Sequence, residues 1–162
     1  MFRRRHSLLR VHRGTWESLL TQLCQRGCGS RESGAFLLGK SNRPGVVIGF
    51  LLYDDLDPEC LTGGIEFHGI GYHRLSEYCQ EHGVRVMGDV HTHPGNGVGQ
   101  SAIDSSHPMI AREGHVALII PNLAQGTIRP RSVGVHRYRA DNKWDTWRDR
   151  DAARRLYVGR WP

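Results

Sequence analysis

The chain has 162 residues and a formal net charge of +6, and 38% of its residues are hydrophobic. This length suits one domain with one core, and the apolar runs are far too short to span a bilayer. Residues 1–5 begin like a signal peptide, but no apolar stretch follows them. The four cysteines form no CxxC pair, which favours reduced thiols. We therefore expect a cytoplasmic protein with no membrane partner.

The charge is distributed unevenly along the chain. Residues 1–13 carry a net charge of +5, residues 14–128 carry −5, and residues 129–162 carry +6. The Arg-rich ends are either solvated or form a docking surface for an acidic partner. The last stretch also contains Trp144, Trp147 and Trp161, which either pack onto the domain or form a partner-binding surface. A nucleic-acid partner is less favoured, because the body of the chain is acidic.

Hydrophobic periodicity predicts alternating strands and helices. In chain order we expect a strand at 7–11, a helix at 15–25, a hairpin of strands 33–39 and 46–53, a loop at 54–64, a helix at 68–82, a strand at 84–90, a glycine-rich loop at 95–99, a helix at 101–112, strands at 115–120 and 133–138, and a helix at 149–158. This order predicts a single mixed α/β domain whose central, mostly antiparallel sheet is flanked by helices. Its core would cover about residues 7–138, followed by the basic segment 139–162.

The most informative stretch is His91-Thr92-His93-Pro94, which follows a predicted buried strand and precedes Ser101 and Asp104. On an extended segment, residues two positions apart send their side chains to the same side. Two imidazoles and a returning carboxylate can supply three corners of a tetrahedral zinc site. The fourth corner would then stay open for water, as in catalytic zinc sites. We expect the loop glycines Gly95, Gly97 and Gly99 to permit sharp turns with positive φ.

A hydrolase built on such a site also needs a general base. The HExxH helix of many zinc proteases is absent, so the base must lie elsewhere in the chain. Glu32 is the best candidate, because it opens the apolar strand 33–39 and could be aimed into a site. Ser101 is either the N-cap of the next helix or a donor to an oxyanion, or both. Asp89, His107 and His115 are either structural residues or candidates for supporting roles around the ligands.

The spacing of these residues resembles the JAMM motif of the JAB1/MPN metalloprotease family. The motif is carried by Glu32 in a Glu-x-Gly-x-x-x-x-Gly context, then His91-x-His93-Pro94, then Ser101-x-x-Asp104. The resemblance implies an MPN-like domain in which His91, His93 and Asp104 bind one catalytic Zn²⁺. It also implies that Glu32 acts as general base and then acid, and that Ser101 stabilises the oxyanion.

The family resemblance further implies an isopeptidase that cuts after the C-terminus of a ubiquitin-like protein. The compact chain looks like the bacterial branch, whose members accompany E1-like and E2-like enzymes in conjugation systems, including antiphage systems. Two departures limit the comparison: Gln100 stands where some members have Pro, and the extra zinc-binding insertion of chain-specific members has no counterpart. Two alternatives remain: a non-catalytic MPN scaffold and a radC-like DNA-associated protein.

Overall fold

The computed structural model describes residues 7–161, so residues 1–6, which hold most of the basic N-terminal stretch, and Pro162 lie outside the described residues. The strands are β1 (Leu9–His12), β2 (Gly34–Gly39), β3 (Val46–Val47), β4 (Gly49–Leu52), β5 (Arg85–Thr92), β6 (Val116–Ile120), β7 (Gly134–Tyr138), β8 (Trp144–Trp147) and β9 (Leu156–Gly159). The helices are α1 (Arg13–Gly27), α2 (Tyr53–Leu56), α3 (Gly69–His82), α4 (Ala102–Ser106) and α5 (Asp149–Arg155). Within 7–161, no helix is both long enough and apolar enough to cross a bilayer.

The central sheet has six strands in the order β4-β2-β5-β6-β7-β8. All neighbours run antiparallel except β5 and β6, which are parallel. A smaller parallel sheet has the order β3-β1-β9. The predicted α/β class, with a mixed and mostly antiparallel sheet flanked by helices, is confirmed.

The apolar side chains form two clusters, one on each face of β2. Helix α1 contributes Trp16, Leu19 and Leu23 to the larger cluster, the stripe that its 3.6-residue periodicity predicts. Phe36 and Leu38 point to the other face and pack in the smaller cluster. Strand β2 is therefore buried on both faces, and this explains why its sequence is apolar at successive positions rather than alternating.

The predicted strand 46–53 is two strands in two sheets. Strand β3 pairs with β1, whereas β4 pairs with β2, so one apolar run serves both sheets. The loop predicted from residue 54 begins instead as the short helix α2. Asp54 and Asp55 lie in its first turn, where carboxylates are favoured by the helix dipole. Arg26 donates to both carboxylates at 2.7 and 2.8 Å and ties α2 to the end of α1.

The later helices are shorter than the sequence pattern predicts. Helix α4 ends at Ser106, because Pro108 disfavours a helical conformation for the residue before it. Helix α5 ends at Arg155, because residues 156–159 form β9 and pair with β1. Strand β8, which periodicity did not predict, pairs with β7. The basic segment therefore adds one strand to each sheet.

Candidate metal centre

The two histidines of the motif lie at the end of β5, in the middle of the central sheet. His91 pairs with Gly34 of β2 on one side and with Ile119 of β6 on the other, and it is 8% exposed. The backbone N–H of His93 donates to the carbonyl of Ile120 at 2.9 Å. Because β5 is extended up to Thr92, both imidazoles project to the same side.

Asp104 reaches the same place from helix α4. Ser101 is the N-cap of this helix, and its Oγ accepts a hydrogen bond from the backbone N–H of Asp104 at 3.1 Å. The Asp104 carboxylate in turn accepts from the backbone N–H of Ser101 at 2.8 Å. This reciprocal capping box fixes the carboxylate against the helix start and turns it toward the histidines.

The donor atoms of these three residues converge. His91 Nε2 lies 3.0 Å from His93 Nε2 and 3.4 Å from Asp104 Oδ1, and His93 Nε2 lies 3.2 Å from Asp104 Oδ2. Ligands about 2.05 Å from a tetrahedral zinc ion are about 3.3 Å apart, so the three separations match the edges of such a tetrahedron. Within residues 7–161, this is the group of His, Cys, Asp and Glu side chains that could hold a metal ion.

The charges and tautomers of the group also suit a cation. Hydrogen bonding to Asp104 raises the pKa of His93 above its usual range, although burial opposes this rise. Burial acts to raise the pKa of Asp104, but hydrogen bonds from His91 and His93 outweigh it and hold that pKa far below the ordinary value. His93 Nδ1 donates to the carbonyl of Gly97 at 3.3 Å, so a metal that displaces the Nε2 proton would find the lone pair of Nε2 directed at it. The residues therefore fit a divalent cation.

Glu32 lies immediately before β2 and lines the same pocket as His91, Ser101 and Asp104. Its neighbour Ser33 is buried and exchanges backbone and side-chain hydrogen bonds with Thr92, next to His91. This clamp fixes the backbone that carries the carboxylate. Burial raises the pKa of Glu32, against the opposing effect of His91 and His93. Such a half-buried carboxyl group is suited to exchange protons.

The pocket has a volume of about 740 Å³. Polar side chains occupy one part of its lining: Glu32, Asp89, His91, Ser101 and Asp104. Apolar and aromatic side chains form another part, the apolar wall: Ile65, Phe67, Tyr72, Ile103, Met109 and Trp144. A cleft with an apolar wall and a few converging polar groups is the usual form of a binding site.

A buried hydrogen-bond network lies beneath the pocket. The Tyr53 hydroxyl donates to Asp89 Oδ2 at 3.0 Å, and His115 Nε2 donates to Asp89 Oδ1 at 2.5 Å. All three side chains are at most 3% exposed, and burial raises the pKa of Tyr53 well above its ordinary value. Sequence reasoning singled out Asp89 and His115 but missed Tyr53, because its partner lies on a strand far along the chain.

The loop glycines do not use the positive φ that they permit. Gly95, Gly97 and Gly99 all lie outside the left-handed region. A methyl group at Gly95 or Gly97 would meet open space, whereas one at Gly99 would lie 2.5 Å from the guanidinium of Arg148. That guanidinium is the end of a flexible side chain and can move aside, so none of the three glycines is required by a close approach.

The left-handed backbone lies instead in the turn after β6, at Asn122, Leu123 and Ala124, with φ of 55°, 52° and 60°. The amide of Asn122 donates to the carbonyl of Gly95 at 2.8 Å, and that of Leu123 donates to the carbonyl of His93 at 2.9 Å. Left-handed non-glycine residues cost about 1–2 kcal/mol each and cluster at functional sites. This strained turn supports the backbone of the second histidine.

No protein-family model matches the chain. Three solved structures resemble it at 18% sequence identity. A protein from Desulfitobacterium hafniense has a TM-score of 0.63, and the match covers 93% of this chain and 92% of that chain. A protein from Salinibacter ruber has a TM-score of 0.62, and the match covers 95% of this chain and 93% of that chain. A JAB1/MPN domain protein from Archaeoglobus fulgidus has a TM-score of 0.51, and the match covers 94% of this chain and 100% of that chain. Identity this low establishes the fold alone. The chain thus has a fold like that of JAB1/MPN domains, and this fold brings together a His-His-Asp group compatible with metal binding.

Proposed function

We propose that the chain is a zinc-dependent metalloprotease that hydrolyses the peptide or isopeptide bond after the C-terminus of a ubiquitin-like protein. The observation that carries this proposal is the convergence of three donors that could hold a metal ion, two of which line one pocket with the half-buried Glu32. His91, His93 and Asp104 would hold the ion, and their spacing fits a tetrahedral site with one place open. When bound in such a site, zinc lowers the pKa of a coordinated water to about 7 and polarises a carbonyl.

Glu32 supplies the proton transfers of this reaction. Its carboxylate accepts a proton from the attacking water as the water oxygen adds to the carbonyl carbon. The same carboxyl group then donates the proton to the leaving nitrogen as the C–N bond breaks, so the products are a carboxylic acid and an amine. Burial supports both steps, because a raised pKa makes the Glu32 carboxylate a stronger base and also favours its protonated form.

Ser101 stabilises the negative charge that develops on the carbonyl oxygen. Its Oγ already accepts a hydrogen bond from the amide of Asp104, but the hydroxyl proton stays available for a donor role. Since Ser101 lines the pocket beside the ligands, the same side chain caps α4 and donates to the oxyanion.

The substrate class rests on the likeness of Glu32, His91, His93, Ser101 and Asp104 to the JAMM motif. We propose that a ubiquitin-like tail lies extended along the apolar wall with its terminal glycine at the polar end of the pocket. The cellular setting would be a bacterial, cytoplasmic conjugation system, such as an antiphage system, with E1-like or E2-like partners. The reaction would then remove the modifier from its conjugates or mature its precursor.

The test is hydrolysis of a ubiquitin-like protein that carries a C-terminal 7-amido-4-methylcoumarin. We expect fluorophore release by the zinc-loaded chain, its loss with a chelator, and its return when Zn²⁺ is added. Glu32→Gln should lower kcat by about 10²–10⁴-fold, the usual contribution of a general acid–base, while zinc stoichiometry stays unchanged. Glu32→Asp is the matched control that keeps the carboxylate.

The outcomes separate the parts of the proposal. Full activity of Glu32→Gln would remove Glu32 from the mechanism. Zinc binding without hydrolysis of this probe would favour the non-catalytic scaffold, and failure of the wild-type chain to bind zinc would refute the metal centre itself.

A further inference from the structure

The segment from Pro94 to Ser106 carries one ligand of the proposed metal centre and supports another. Asp104 and Ser101 lie on it, and the carbonyl of Gly97 fixes the ring of His93. Yet residues 94–101 belong to no helix or strand, and residues 94–97 are exposed. The sheet that holds His91 does not include this segment, so something else must hold it in place.

One contact comes from β7, beneath the segment. His136 is fully buried, and its Nε2 donates to the carbonyl of Val98 at 2.9 Å. Because a carbonyl only accepts, this bond fixes the tautomer of the neutral ring, and Nδ1 accepts from the Thr146 hydroxyl at 3.0 Å. Gly134 allows the close approach, since a methyl group there would lie 2.0 Å from the Val98 oxygen.

A second contact comes from β8, at the far end of the segment. Trp144 Nε1 donates to the carbonyl of Ser105 at 3.0 Å, one residue after the ligand Asp104. The indole packs edge-to-face on Tyr138 of β7, with ring centroids 5.0 Å apart, and it lines the pocket. Both donors therefore belong to the β7–β8 hairpin, and they bind the segment on either side of Ser101.

We infer that His136 and Trp144 of the β7–β8 hairpin are positioning residues for the metal centre. His136 holds the loop whose Gly97 carbonyl orients His93, and Trp144 holds the helix that carries Asp104. Neither side chain belongs to the proposed ligand group, so each acts through the backbone of the segment. This inference rests on the proposed function, because it assumes that His91, His93 and Asp104 bind a metal ion. It also gives a role to β8 within the basic C-terminal segment.

The experiment measures zinc affinity of the full chain by competition with a chelator, and the visible absorption of the Co²⁺-loaded chain. Trp144→Phe keeps an aromatic ring and His136→Leu keeps a side chain of similar size, but both lose the donor. We expect each to lower zinc affinity by about 10–100-fold, as loss of a partner to a ligand does. The Co²⁺ absorption should also change, because the ligand geometry relaxes.

Two matched variants make the result decisive. Trp147→Phe changes another tryptophan of β8, one that faces Arg137 and Arg155 rather than the segment, and should leave zinc affinity within about twofold. His136→Gln restores a donor for Val98 and should recover most of the affinity. Wild-type affinity in Trp144→Phe and His136→Leu would overturn the inference, as would an equal loss in Trp147→Phe. A wild-type chain that binds no zinc would refute the metal centre and this inference together.

Discussion

The two halves of the candidate site are built in different ways. The half at the end of β5 is buried, and its backbone is hydrogen-bonded on both sides by β2 and β6. The half that carries Ser101 and Asp104 lies on an exposed segment and a five-residue helix, held by a capping box and two side-chain donors. The first half is fixed by the fold of the sheet, and the second by a few local bonds. Changes in the sheet half should damage stability first, and changes in the segment should damage metal binding or catalysis first.

The largest effect should follow the loss of the ligand on the segment. Asp104→Asn keeps an acceptor for the amide of Ser101 but removes the charged ligand. Loss of an outer partner costs about 10–100-fold in metal affinity, so loss of a ligand should cost on the order of a thousandfold or more. Zinc content after dialysis checks this, and unchanged stoichiometry would contradict the ligand role.

The next effect separates the two roles of Ser101. Ser101→Ala should lower kcat by about 10²–10³-fold, the usual cost of an oxyanion donor, and loss of the cap should also destabilise α4 by about 1 kcal/mol. Ser101→Thr retains a hydroxyl and serves as the control. If Ser101→Ala lost stability but kept its kcat, Ser101 would be a cap alone.

Two glycines test the difference in rigidity directly. A methyl group at Gly34, which pairs with His91, would lie 2.2 Å from the Tyr53 ring and 2.7 Å from the Val90 carbonyl. We expect Gly34→Ala to cost about 1–3 kcal/mol, as overpacking does. Gly97→Ala meets open space and should change stability by less than about 0.5 kcal/mol. Urea unfolding of both variants measures this, and equal losses would refute the contrast.

The smallest effect concerns proton competition at His93. Its pKa is raised above 6.5, mainly by the hydrogen bond to Asp104, so the ring stays protonated to higher pH than an ordinary histidine. Because a ligand must lose its proton to bind a metal, zinc affinity should fall as the pH drops through that raised pKa, by about tenfold per unit below it. Chelator competition between pH 8 and 5.5 measures the slope. An affinity that stays constant down to pH 6 would contradict the assignment.

The sequence predicted the sheet half of the site better than the segment half. His91 and His93 follow a buried strand, so periodicity alone places both rings on one side. The capping box of Ser101 and Asp104 is also local, and the structure forms it as one of the two roles expected. Local patterns were sufficient wherever the contact partners lie within a few residues of one another.

The supporting residues were not predictable, because their partners are distant along the chain. His136 has no ligand spacing, and its importance depends on Val98, whose carbonyl the fold brings within hydrogen-bond distance of the ring. Tyr53 and Asp89 meet in the same way. Residues 46–53 divide between two sheets, and β9 pairs with β1. Both arrangements depend on tertiary contacts, which an apolar sequence pattern does not specify.

The pairing of β1 with β9 joins Leu9 to Leu156, nearly opposite ends of the described chain. During synthesis, β1 can pair with β9 only after residues 156–159 have been made, so the small sheet is completed late. Contacts of such long sequence separation slow folding, since the chain entropy is lost before the contact forms. We therefore expect a nascent chain stopped after Tyr138 to stay incompletely folded on the ribosome, and the emergence of residues 156–159 to be the step that completes the small sheet.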